Sequence, residues 1–237
     1  MSEHCLICDQ VLNESLTWTT LLFPQEKSPL CEKCEEKFQW IQGDICEVCG
    51  REMEGVEEQY RQGERCLDCV KWEENSDWGR IFRQNRSLYV YNDWMKEVIA
   101  LYKFRGDYQL ADIFRRKWQK AYRIYYPQYE VIVPIPLSEE RLYERGFNQS
   151  AVLAGLLQKP VQDLMARHHH EKQSKKTKKE RLKKEQVFFL KEDADLHGKK
   201  VLLIDDIYTT GTTLHHAAKV LKEAGAEVVS SLTLARG

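Results

Sequence analysis

Two adjacent carboxylates run straight into a hydroxyl-rich turn at Asp205-Asp206-Ile207-Tyr208-Thr209-Thr210-Gly211-Thr212-Thr213. These residue types are suited to holding an anion beside vicinal hydroxyls. Behind the acids, Val201 to Ile204 form an unbroken apolar run, the pattern of a buried parallel strand covered on both faces. That strand puts Asp205 and Asp206 at its carboxyl end. Beyond the turn, Leu214, Ala217, Ala218 and Leu221 mark the apolar stripe of a helix expected to reach about Ala224. The free N–H groups and positive dipole end of such a helix point into the turn. Threonine hydroxyls add donors, and Gly211 lets the backbone approach a ligand closely. A ligand carrying both a phosphate and vicinal hydroxyls, such as a ribose phosphate, matches this set. The lack of a Gly-Lys-Ser/Thr excludes a Walker loop, and the single glycine excludes a dinucleotide fingerprint.

A second chemistry lies near the amino terminus. All eight cysteines fall within the first 69 residues as four Cys-x-x-Cys pairs: Cys5/Cys8, Cys31/Cys34, Cys46/Cys49 and Cys66/Cys69. Each pair has the chelate spacing of a tetrahedral thiolate metal, and the pairs of the second set are 16 residues apart, those of the first 22. The reading is two sequential zinc ribbons, Cys5 to Cys34 and Cys46 to Cys69. Interleaved ligation, pairs one and three against two and four, is the alternative. Four protein ligands close the tetrahedron, so both zinc sites are expected to be structural. His4 is read as a bystander rather than a ligand.

Charge divides the chain in the same place. Residues 1–79 hold 7 Lys/Arg against 18 Asp/Glu, a balance of −11, whereas residues 80–237 hold 29 against 19, a balance of +10. An acidic ribbon module opposes a phosphate backbone, so its expected role is folding support or protein contact. Trp18, Trp40, Trp72 and Trp78 supply core or docking surface there. No stretch approaches the roughly 18 apolar residues of a membrane span, and no secretory leader is readable, so a cytosolic protein is expected.

Residues 73–86 read as the junction. SLYVY (87–91) reads as a strand, Asn92-Asp93 as the cap of a helix through Phe104, and a further helix follows from about Asp107 to Arg123. Lys96, Lys103, Arg105, Arg115, Arg116 and Lys117 on these helices are taken as solvated faces. EVIVPIPL (130–137) is a second buried strand that ends in prolines, and SEERLYERGFNQS opens a helix broken near Gly146. Residues 167–185 are the most basic stretch, nine Lys/Arg against three Glu, next to His168-His169-His170. A short strand is read at 187–189, and after the motif helix 227–235 is the last parallel strand, completing a right-handed βαβ unit.

The DDIYTTGTT segment resembles the phosphoribosyl pyrophosphate (PRPP) motif of type I phosphoribosyltransferases. That resemblance implies that Asp205 and Asp206 hold ribose hydroxyls and that Thr209, Thr210, Gly211, Thr212 and Thr213 hold the 5′-phosphate. It places pyrophosphate, with Mg²⁺, at Pro136, Leu137 and Ser138, with Arg141 and Arg145 nearby. Asp205, Asp206 and Arg145 are the catalytic candidates. The double Cys-x-x-Cys ribbon, VPIPLSEERLYERGFNQS and DDIYTTGTT together resemble the ComF family over essentially the whole chain. The implied fold is a doubly wound parallel α/β sheet of type I phosphoribosyltransferase kind (79–237), preceded by a small double zinc-ribbon domain (1–78). The implied role is competence: handling incoming single-stranded DNA in the cytoplasm, at the inner face of the membrane. The acidic ribbon would meet a helicase or ATPase, and the DNA would meet a basic mobile loop carrying Lys175, Lys176, Lys178, Lys179, Arg181, Lys183 and Lys184. That loop departs from the family pattern at Gln173-Ser174-Lys175-Lys176, where relatives tend to carry Gln-Ser-x-Leu. Two other functions fit the same residues: an active phosphoribosyltransferase acting on a base, nucleotide or DNA end, and a scaffold with a vestigial ligand site.

Overall fold

The computed structural model describes residues 4–12, 28–104, 108–167, 187–192 and 194–237. The amino-terminal part is built from two metal-ribbon loops, with a short helix α1 (Glu32–Glu35), a two-residue hairpin β1 (Arg61–Gln62) and β2 (Arg65–Cys66), and helix α2 (Leu67–Glu74). The chain then enters strand β3 (Asn85–Val90), helix α3 (Asp93–Phe104), a 3₁₀ segment at Tyr108–Ile113 and helix α4 (Arg115–Tyr125). Strand β4 (Val131–Pro134) leads to helices α5 (Glu139–Arg145) and α6 (Gln149–Gly155) and a small hairpin, β5 (Met165–Arg167) with β6 (Phe188–Leu190). Strand β7 (Lys200–Tyr208), helix α7 (Thr212–Glu223) and strand β8 (Val228–Arg236) complete it.

The four long strands form one parallel sheet in the order β3-β8-β7-β4. Its strands alternate between two cores because successive side chains point to opposite faces. Ile132, Leu202, Ile204, Leu232 and Leu234 join one core with α3, α4 and α6. Val131, Val133, Val201, Leu203 and Val229 join the other with α7 and the small hairpin. Each core also takes in one cysteine set: Cys5 and Cys34 on the first face, Cys46, Cys49, Cys66 and Cys69 on the second. This is the doubly wound α/β architecture with a cysteine-rich amino-terminal region. Polar ties cross its layers, with Trp118 Nε1 donating to Leu153 O at 2.9 Å and Tyr126 Oη to Ser231 O at 2.7 Å.

Three elements depart from the sequence reading, the first being the strand read over 130–137, which ends at Pro134. The central strand does not stop at Ile204 but runs on to Tyr208. Its β4 neighbour gives out at Pro134, paired with Ile204, whereas β8 keeps pairing through Tyr208 opposite Arg236. Asp205 and Asp206 therefore lie within β7 on a stretch laddered to β8 alone, past the last paired residue of β4. The expected helix from Asp107 to Arg123 is a 3₁₀ segment followed by α4. Ala111 and Phe114, three apart, both become fully buried, as the tighter three-residue turn allows. Arg105 and Asp107 lie outside the described residues.

Candidate functional site

The carboxyl ends of the parallel strands bring the two acids beside the turn that follows β4. Ile135 N donates to Ile204 O at 2.9 Å, so Pro136, Leu137 and Ser138 leave the sheet next to Asp205. Ser138 caps α5, its Oγ accepting from Arg141 N at 3.4 Å, and Gly146 at φ +75° breaks the helix. Asn148 starts α6: its Oδ1 accepts from Ser150 N at 2.9 Å while its Nδ2 donates to Ile135 O at 3.0 Å. Pro136 is buried, Leu137 and Ser138 are half-buried, and Arg141 is exposed. The cap network thus ties α6 back to the strand end and holds both elements beside the acids.

Both carboxylates are buried, Asp205 at 8% and Asp206 at 6% exposure. Asp205 Oδ1 accepts from Ser150 Oγ at 3.1 Å and from Asp206 N at 2.9 Å. Burial, then the Asp206 carboxylate alongside it, pushes the Asp205 carboxyl well above the ordinary carboxylate range. Asp206 pairs with Lys103 from the last turn of α3. The solvated role expected of Lys103 is therefore corrected: its side chain is largely buried against the acid. Arg145 donates to Gln149 Oε1 at 3.0 Å, and burial, then the neighbouring Arg141, lowers its pKa against the pull of Asp206 and Asp205. Arg167, at the end of β5, is lowered likewise by burial, then Arg141, against Asp205. Arg145 thus feels both acids and Arg167 feels Asp205, with Arg141 close to both guanidinium groups, an arrangement suited to a polyanion.

The threonine loop closes the other side. Gly211 is the N-cap residue of α7 at φ +81°, and a Cβ there would lie 2.2 Å from the Tyr208 hydroxyl oxygen. Only glycine fits between that ring and the helix start. Thr209, Thr210, Thr212 and Thr213 are exposed, with Thr210 Oγ1 2.9 Å from Thr212 Oγ1. The loop backbone is held from behind: Arg236 Nη1 donates to Thr209 O at 2.9 Å, and Trp72 Nε1 donates to Thr210 O at 3.1 Å. His215 Nδ1 meets Gly211 O at 2.9 Å, and since a carbonyl only accepts, that nitrogen carries the proton. Burial lowers the His215 pKa to about 4, so the ring is neutral near pH 7.

The cysteines resolve into the two sequential sets, Cys5, Cys8, Cys31 and Cys34, and Cys46, Cys49, Cys66 and Cys69, each with sulfurs within 4.8 Å of one another. Interleaved ligation is thereby corrected in favour of the sequential order. Sulfur separations of 3.7 Å occur at Cys8–Cys31, Cys46–Cys69 and Cys49–Cys66. That is the edge of a tetrahedron with zinc–sulfur bonds of about 2.3 Å, and far longer than a disulfide of about 2.05 Å. The residues fit two structural zinc ions. His4 is not in the first set; its Nδ1 meets Asp9 O at 2.9 Å.

A family model for the phosphoribosyl transferase domain matches residues 144–237. The chain is 42% identical to competence protein ComFC of Bacillus subtilis (strain 168) over 236 residues, 98% of this chain and 94% of that protein. It is 34% identical to competence protein ComFC of Streptococcus pneumoniae over 98% of this chain and 99% of that one. The chain belongs to the ComFC family. Competence protein F of Haemophilus influenzae is 25% identical over 89% of this chain and 91% of its own length. Among solved structures, a hypoxanthine phosphoribosyltransferase from Staphylococcus aureus aligns with 53% of this chain and 62% of its own at 18% identity, with a TM-score of 0.33.

Within this ComFC-family chain, the domain match begins inside α5, so it covers Arg145, the acids and the threonine loop but not Pro136 to Arg141. The basic run carrying Lys175, Lys176, Lys178, Lys179, Arg181, Lys183 and Lys184, the His168-His169-His170 triplet and Trp18 lie outside the described residues. Lys103, Ser150, Arg167, Trp72 and Arg236 are the site residues that sequence reasoning missed. Only Trp72 carried a usable signal, its place three residues after Cys69.

Proposed function

We propose that this protein is a competence factor that binds PRPP at the strand ends and handles incoming single-stranded DNA. One observation carries the ligand reading: two buried carboxylates on β7, past the end of β4, feed directly into a glycine-capped helix start with exposed threonines. Asp205 and Asp206 would take the ribose hydroxyls, and Thr209 to Thr213 the 5′-phosphate. Pro136 to Ser138, with Arg141 and Arg145, would take pyrophosphate. Mg²⁺ fits this donor set only as an ion carried on the ligand's own phosphates. Asp206 is already paired with Lys103 and Asp205 accepts from Ser150 Oγ, so no all-protein cage is present among the described residues. The ion's chemistry is to neutralise pyrophosphate oxygens.

In this reading the chain divides after residue 78 into a double zinc ribbon and a phosphoribosyltransferase-like domain. The basic stretch from Lys175 to Lys184 is the DNA arm, because a net +6 over residues 167–185 attracts a polyanion. The acidic ribbon faces a protein partner such as the uptake helicase. Work at the inner face of the membrane belongs to this reading as a peripheral role, and no described helix is long and apolar enough to cross a membrane.

A second reading, a working transferase, draws support from the guanidinium cluster beside the acids, which suits a leaving pyrophosphate. One experiment separates the two. PRPP with Mg²⁺ is titrated into the parent and into Asp205→Asn/Asp206→Asn, with pyrophosphate release measured as DNA and a panel of bases are added. Binding that is lost in the double variant without release supports the competence-factor reading. Release triggered by one acceptor establishes the transferase. No binding by the parent refutes both.

A further inference from the structure

Three successive carbonyls of the threonine loop are held from the side of the second four-cysteine site. Thr209 O accepts from Arg236 Nη1, Thr210 O from Trp72 Nε1 and Gly211 O from His215 Nδ1, at 2.9, 3.1 and 2.9 Å. Each donor leads back to the cysteines in one or two contacts. Arg236 Nη2 donates to Cys49 Sγ at 3.4 Å, while the same guanidinium lies 4.7 Å over the Tyr208 ring. Trp72 sits on α2, the helix that also carries Cys69. Its ring stacks on His215 with centroids 4.0 Å apart and planes 12° from parallel. Packing for stability alone would join apolar surfaces; here each of the three side chains places one donor on a loop carbonyl.

Peptide geometry turns this into a statement about the ligand side. In a trans peptide the C=O and the following N–H point in opposite directions, and no cis peptide is present among the described residues. Holding the carbonyls of Thr209 and Thr210 against the ribbon therefore aims the amides of Thr210 and Gly211 away from it. We propose that the second four-cysteine site is the mount of the phosphate loop, with Trp72 and Arg236 as positioning residues that aim its amides at a bound phosphate. This deepens the PRPP reading above and rests on it. Gly211 fits the same design, since the loop is pressed so closely on Tyr208 that a side chain at that position has no room. The first four-cysteine site has no part in it: its cysteines belong to the core on the other sheet face.

The test uses the full-length, zinc-loaded protein and two probes titrated separately by calorimetry, ribose 5-phosphate for the threonine loop and pyrophosphate for the turn after β4. Trp72→Phe keeps an aromatic ring for His215 but lacks the donor. It is expected to weaken ribose 5-phosphate binding about five-fold, the worth of one hydrogen bond. Arg236→Lys keeps the charge but cannot bridge loop and sulfur, and about a ten-fold loss is expected. Pyrophosphate affinity should change less than about two-fold in both, and Cys8→Ser, at the first site, should leave ribose 5-phosphate binding at the parent value. Zinc content, measured for every sample, confirms that the second site is loaded. Unchanged ribose 5-phosphate affinity in both variants overturns the proposal and leaves the PRPP reading standing. Equal losses for both probes also overturn it, because they report a general loss of fold. A parent that binds neither ribose 5-phosphate nor PRPP removes the underlying reading and the proposal with it.

Discussion

The two four-cysteine sites share a ligand pattern but meet opposite faces of the sheet, and their surroundings differ accordingly. In the first, Cys8 is exposed and Cys31 half-buried, and the neighbouring Phe38 packs on Tyr89 and Phe114 with centroids 4.9 and 6.2 Å away. In the second, all four cysteines are buried and joined to strand β3 through Asn85 Nδ2, which donates to Cys49 O at 3.1 Å. Cys49 Sγ further accepts from Arg236, at the end of β8. The difference teaches that spacing sets the metal, while position along the sheet sets what the metal site supports. The first is an attachment at the β3 side of one core. The second lies behind the strand ends where the acids and threonine loop sit.

The largest expected effect breaks that comparison most directly. Cys46→Ser should release one zinc and cost on the order of 5 kcal/mol, because four buried sulfurs and their core neighbours lose their centre together. For a chain of this size that lowers Tm by about 10–20 °C. Cys8→Ser, with its sulfur at the surface, should cost about 1–2 kcal/mol. Thermal unfolding with zinc release followed by a chelator dye measures both. Equal losses would mean that burial does not distinguish the sites.

Protonation sharpens the contrast, because His215 stands between the second site and the loop. Its pKa is lowered from 6.5 to about 4 by burial, so the fold holds the neutral ring. Above pH 6.5 the folded and unfolded chains both carry it neutral and its full contribution is present. Below 6.5 the unfolded chain takes up a proton first, and stability falls until pH about 4, by on the order of 3 kcal/mol in total. Urea unfolding between pH 7.5 and 4.5 should therefore be steeper in pH for the parent than for His215→Gln. Matching slopes would show that the ring titrates as it does in the unfolded chain.

Much of this organisation was legible from one dimension. The apolar run Val201–Ile204, the acids and the threonine turn reported a strand end and a helix start, because backbone donors and burial on both faces leave local marks. The Cys-x-x-Cys pairs reported their metal geometry for the same reason. What the sequence left hidden is long-range. Lys103 resembled any other base on a helix face, and its pairing with Asp206 depends on how α3 crosses the sheet. The continuation of β7 past Ile204 depends on where its two neighbours stop, which no window of the strand's own residues contains. Arg236 and Trp72 sit 164 positions apart in the chain and meet at one loop. The charge boundary carried no sign that each cysteine set shares a core with sheet residues, since apolar contacts are indifferent to the net charge above them.

The smallest effect concerns how the first site is fastened. Lys117 on α4 pairs with Glu35 at 3.0 Å, beside Cys34, and its Nζ lies 3.7 Å from the centroid of Trp40, which itself packs on Tyr89. Both partners are partly exposed, so the ion pair is screened and contributes only tenths of a kcal/mol, whereas the ring contact adds about 0.5–1 kcal/mol. Lys117→Met should thus lower stability by about 1 kcal/mol, and Glu35→Gln by less than half of that. A double-mutant cycle in low and high salt apportions the two, because salt weakens the exposed ion pair more than a cation seated on a ring. If salt abolishes the whole Lys117 effect, charge alone does the fastening and the aromatic contact is incidental. If most of it persists, the first ribbon is held by the tilted Trp40–Tyr89 pair with a cation over the Trp40 ring. The two sites then differ in kind, one bound to its sheet through aromatic surface and the other through hydrogen bonds that reach the threonine loop.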